Sequence, residues 1–96
     1  MHQVLAGYCE LAGTVARMLE LARDRRWAAL PGLDAHCTSL FGRLRGMDAE
    51  DLSALDRSRI AALASRIRAD QDALTALVRP QFVHLAQRMA QLQRAS

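Results

Sequence analysis

Two cysteines, three histidines and ten carboxylates are the residues of this 96-residue chain that could ligate a metal or drive a reaction. Their spacing serves neither purpose. His36 and Cys37 are adjacent, so on a helix they point about 100° apart and make a poor pair for one ion. His2, Cys9 and His84 are scattered, and no CxxC, HExxH or paired-histidine spacing exists. Catalysis needs a nucleophile beside a base, or paired carboxylates in a pocket. Asp48, Glu50 and Asp51 fall in a polar connector, where carboxylates are ordinarily solvated. Asp70 and Asp72 lie two apart on a helical segment and point away from each other. There is no glycine-rich phosphate loop. The expectation is a protein that is not an enzyme and carries no metal or cofactor.

The stretch RDRRWAAL, residues 23–30, is the remaining chemical feature. Its three arginines could contact phosphates. They also fall in the last turn of an apolar helix, where basic residues complement the negative helix end. Arg57, Arg59, Arg66 and Arg68 form a second cluster, flanked by Asp56, Asp70 and Asp72, as on a solvated face with ion pairs. The net charge is only +3, and a nucleic-acid module gathers its positive charge on one face. No nucleic-acid partner is expected. All thirteen basic residues are arginine, with no lysine or asparagine, which reads as a GC-rich genome and not as chemistry. Two unpaired cysteines and no signal peptide point to a reducing cytoplasm. No apolar stretch approaches the ~18 residues of a membrane span.

Composition then fixes the class. About half of the residues are apolar, mostly Leu and Ala, and β-branched residues are scarce, so the chain is helical. A first helix is predicted from Gln3 to Asp24. Val4, Tyr8, Leu11, Val15, Met18 and Ala22 repeat at alternating spacings of four and three, and Leu5, Ala12 and Leu19 widen the stripe. A second helix carries Leu30, Leu33, Cys37, Leu40 and Leu44, with Pro31 suited to its first turn and Gly46 ending it. Cys37 falls on the apolar stripe, as a small buried hydrophobe. In the connector that follows, Asp48 or Ser53 could cap a short turn and Asp56 the next helix. The last helix is predicted from Arg57 to Arg94, with the apolar phase continuing across Pro80. That continuity favours one helix kinked at the proline over two helices split there. Trp27 would close the end of the hairpin as a core residue, or else dock a partner. No internal repeat or linker divides residues 1–96, which form one domain.

The lengths do not match. At about 1.5 Å per residue the three helices span roughly 33, 28 and 57 Å. A hairpin of two short helices cannot cover a third nearly twice as long. The expected fold is therefore an all-α, antiparallel three-helix bundle, a hairpin plus one long third helix with uncovered apolar surface. Such surface marks an interaction site. Ile67, Leu74, Val78 and Leu85 are its expected partner-binding residues, with Phe82 at the edge.

The stretches MLELARDRRWAAL (18–30) and IRADQDALTALVRPQFVHLAQRM (67–89) resemble the flagellar export chaperone FliT family. In that family a leucine-rich helix end is followed within a few residues by tryptophan and then leucine. Ile67, Asp70, Leu74, Leu77, Leu85 and Ala86 fall at matching positions of its third helix. The resemblance covers residues 4–92 in order. It departs at Pro80, where the family carries a helix-compatible apolar residue, and at Gln81, where arginine is expected. Longer members continue into a segment that folds back over the binding surface, and that autoinhibition is not expected of a sequence ending at Ser96. The resemblance implies a cytoplasmic chaperone of flagellar type III export, with the C-terminal helical segment of the filament-cap protein FliD as client. It further implies contacts with export ATPase components and the flagellar master regulator. A homodimer is expected when the chain is free. A structural dimerisation module, with the same stripe permanently buried between two chains, is the other reading.

Overall fold

A computed structural model of the chain describes the backbone of residues 2–95 and the side chains of residues 2–80, 90 and 91. It contains α1 (Gln3–Arg23), a short 3-10 turn (Trp27–Ala29), α2 (Leu30–Arg45) and α3 (Ala54–Ala95). The architecture is all-α, with no strand among the described residues.

α1 starts where the His2 ring accepts a hydrogen bond from the Val4 amide (3.1 Å), satisfying one of the free amides of the first turn. It ends in a Schellman turn. The Arg26 amide donates to the Leu21 carbonyl (2.8 Å) and the Arg25 amide to the Ala22 carbonyl (3.1 Å). Arg25 carries the turn at φ 60°, the left-handed conformation that usually falls to glycine. α2 holds Pro31 in its first turn, where the missing amide costs no helical bond. At the start of α3 the Ser53 hydroxyl accepts from the Asp56 amide (3.1 Å). Ser53 is thus the cap. Asp56, expected to cap this helix, lies inside its first turn, where its charge favours the helix dipole.

Among the described residues, nine of the eleven buried apolar ones belong to α1, which therefore forms the middle of the bundle. Leu11 and Val15 are almost completely enclosed. Leu40 from α2 and Ile67 from α3 reach the same cluster as Leu11, Ala12 and Val15. Both flanking helices pack along α1, but α2 and α3 make no close backbone approach to each other among the described residues. α1 has apolar residues on two sides of its circumference, whereas α2 and α3 each offer one narrow stripe. The physical consequence is a layered order with α1 between its neighbours.

Direction follows from the contacts. α2 returns along α1, with His36 against Glu10 and Leu44 against Gly7. α3 then starts near the beginning of α1, and it can pack along α1 only by running the same way. Ile67 stands level with Leu11–Val15. α1 has 21 residues and α3 has 42. At 1.5 Å per residue α3 spans about 63 Å and α1 about 32 Å. The long dimension of the molecule, 61 Å, is therefore the length of α3 itself. Counted from Ile67, the part of α3 beyond about Arg79 runs past the tip of the hairpin.

Pro80 does not divide α3, which is helical on both sides of it. The ring leaves the carbonyl of Ala76 without its helical donor. Trp27 is half-buried and does not join the core. The short turn carrying it packs on α1 and α2 at the hairpin tip, where no described element lies over it.

Candidate functional site

Titratable groups do not converge among the described residues. No group of three His, Cys, Asp or Glu side chains could hold a metal among the described residues, and none of the described charged side chains is buried. His36 Nε2 lies 3.1 Å from Glu10 Oε1, on the surface between α1 and α2. Asp48 accepts from the Glu50 amide (2.9 Å) and so closes the connector turn. Arg17 pairs with Glu20 at 3.2 Å, and Arg59 approaches Asp56 at 3.9 Å. Exposed pairs of this kind contribute about 0–1 kcal/mol each.

Both cysteines are free. Cys9 is exposed, while Cys37 is half-buried and its thiol points at the Met18 sulfur, 3.8 Å away. Burial, and then the nearby Asp34 carboxylate, push the Cys37 thiol up from its ordinary value. A thiol held neutral is a poor nucleophile, so Cys37 acts as a small apolar residue of the α1–α2 contact.

An open groove of about 220 Å³ lies between the start of α1 and the end of α2. Ala6, Gly7, Leu40 and Leu44 form its apolar floor, and Glu10 and Arg43 its rim. Glu10 is already engaged by His36. The groove offers no convergent polar set that would orient a small ligand.

The apolar surface is the remaining candidate. Of the five residues expected to bind a partner, Ile67 is only 6% exposed and belongs to the core. This corrects its assignment: Ile67 lies on the part of α3 that α1 covers. Leu74 and Val78 are half-buried along the same edge, nearer the tip of the hairpin. Phe82 and Leu85 stand on the helical backbone of α3, but their side chains lie outside the described residues. Leu77, one turn from Leu74, is 36% exposed and joins the candidate face. Its place in the stripe was visible in the sequence, but its exposure follows from where α1 ends.

Among the described residues two other large apolar ones are exposed, Phe41 and Leu55. Arg45 lies over the Phe41 ring, 5.6 Å from its centroid, and shields part of it. The spacing of α2 sets Phe41 beside the stripe of Leu40 and Leu44, whereas Leu55, at the start of α3, did not stand out in the sequence.

Comparison with known proteins gives one match. The family model described as Flagellar protein FliT matches residues 5–96. No curated protein and no solved structure matches the chain. No described helix is long and apolar enough to cross a membrane.

Proposed function

This chain belongs to the flagellar protein FliT family, and we propose that it works as a cytoplasmic export chaperone that holds an amphipathic helix of its client against α3. The family supplies the general role of a flagellar export chaperone. The client we assign is the C-terminal helical segment of the filament-cap protein FliD. The observation that carries this reading is the length of α3, twice that of the helix it packs on. A groove beside an uncovered helix suits a helical segment, which buries its apolar residues at spacings of three and four. Leu74, Leu77 and Val78 supply such a row at the edge of the hairpin, and Phe82 and Leu85 continue its spacing along α3. Ile67 supports this face from below as a core residue.

Size-exclusion chromatography with light scattering tests the proposal, with and without the C-terminal segment of a filament-cap protein from the same organism. A new stoichiometric complex is expected. Leu77→Asp should abolish it while circular dichroism stays at the wild-type level. A dimer unchanged by client well above micromolar concentration would instead mark a structural module, with a second copy covering α3.

A further inference from the structure

Pro80 stands where α3 leaves its support. Ile67 is level with Leu11–Val15, so equal rises along the two helices bring the hairpin tip level with about residue 80. Before that level α1 splints α3. Beyond it α3 continues to Ala95 as an arm, and among the described residues α3 packs on α1 alone. A proline inside a helix removes one hydrogen bond, and its ring presses on the carbonyl four residues back. Here that carbonyl belongs to Ala76. Sharp bends in helices gather at such prolines. The burial pattern fixes the direction of the bend. Ala69, Ala76 and Pro80 are exposed, Ile67 is buried, and Leu74 and Val78 are half-buried. Around the helix axis Pro80 falls about 120° from Leu74 and about 160° from Val78. The ring therefore sits on the solvent side, opposite the apolar row. Its pressure on the Ala76 carbonyl opens that side, so α3 yields toward the row. The long dimension of 61 Å, against about 63 Å for a straight helix of this length, shows α3 nearly extended in this structure.

We propose that Pro80 is a hinge, about which the arm of α3 closes over a client helix seated at Leu74 and Val78. The inference rests on the chaperone reading and adds how the client is gripped. Phe82 and Leu85 hold register positions that continue the row of Leu74 and Val78, so the bend carries the arm's apolar side inward across the end of the hairpin. A straight arm would touch a client helix along one line. A bent arm reaches around it and buries more apolar surface. The position of the proline matters as much as its presence. A few turns earlier, packing on α1 would hold the helix straight. At the level of the tip the missing hydrogen bond lies where no described neighbour resists the bend.

The test uses the full chain and a fluorescent peptide, the C-terminal segment of a filament-cap protein from the same organism. Pro80→Ala restores the missing amide, so it should raise the thermal midpoint. It should nevertheless bind the peptide at least about tenfold more weakly, the loss expected for one leucine-sized contact. Adding Ala76→Pro to that variant returns the ring to the same side of α3, one turn earlier, and should recover most of the binding. Adding Arg79→Pro instead turns the bend about 100° aside and should not. Circular dichroism checks that each variant is helical. Hydrogen exchange reads the hinge without client: amides just after Pro80 should exchange at least about tenfold faster than in Pro80→Ala. Equal peptide affinity of wild type and Pro80→Ala would overturn closure over the client. Equal recovery by both added prolines would overturn the direction of the bend. Equal exchange in the two chains would overturn the hinge itself. A wild-type chain that binds no peptide would remove the client and the chaperone reading together, while fast, proline-dependent exchange would still uphold the hinge.

Discussion

Leu44 closes over Gly7. A Cβ built on Gly7 would stand 2.5 Å from Leu44 Cδ2 and 3.2 Å from its Cγ. The end of α2 therefore lies so close on the start of α1 that a Cβ at Gly7 would have to push the Leu44 side chain aside. Gly13, two turns further along α1, has open space where its Cβ would be. The two glycines predict opposite outcomes. Gly13→Ala should raise stability by about 0.5–1 kcal/mol, because alanine loses less chain entropy in a helix. Gly7→Ala gains the same term but must displace Leu44, and overpacking costs about 1–3 kcal/mol. A net loss of about 1 kcal/mol is expected there. Thermal unfolding of both variants checks the pair, and stabilisation by Gly7→Ala would show that Leu44 repacks freely.

Arg25 holds a left-handed conformation that costs a side-chain-bearing residue about 1–2 kcal/mol. Its two neighbouring turn hydrogen bonds depend on the backbone alone. Arg25→Gly should therefore stabilise the hairpin by about 1 kcal/mol, offset in part by the greater freedom of unfolded glycine. Urea unfolding midpoints of the two proteins decide it. Arg25→Val should fall on the other side of wild type, since branching at Cβ worsens the strain.

Leu11 is 1% exposed and touches the core from the central helix. Leu11→Ala should cost about 2–5 kcal/mol, because α2 and α3 are both held by α1 and cannot close the cavity on each other. Leu77→Ala, at 36% exposure, should cost far less, under about 1 kcal/mol. If client binding is lost in Leu77→Asp but stability is not, the face belongs to recognition and not to the core.

Cys37 and Cys9 should separate chemically. Cys9 is exposed, and Cys37 has its thiol held neutral by burial and by Asp34. Iodoacetamide at mildly alkaline pH should label Cys9 first, with Cys37 following only on unfolding or at higher pH. The linkage has one sign. A thiol whose value is raised in the folded state contributes no penalty below its unfolded value. It costs stability as pH rises from that value through the folded one. Stability should thus fall slightly at alkaline pH, and Cys37→Ala should lessen that fall. Equal labelling of both thiols in the native protein would show the α1–α2 contact opening on the labelling timescale.

The sequence by itself determined the helices. Their periodicity is local, so the bounds of α1 and the continuation of α3 past Pro80 were legible from apolar spacing alone. The excess length of the last helix was legible too, because a helix has a fixed rise per residue. Tertiary structure decided which stretch of each stripe is covered. A stripe gives an angle around the helix axis, not how far along the axis a neighbour reaches. Ile67 and Leu77 therefore look alike in sequence, yet Ile67 is core and Leu77 is exposed. The central place of α1 came the same way, since its breadth of apolar surface acquires meaning only when two helices pack on it and not on each other. Charge followed the same division. The neutral first three-quarters of the chain can be counted from the letters, but that Ile67 stands level with Leu11–Val15 follows only from α3 running alongside α1 in the same direction.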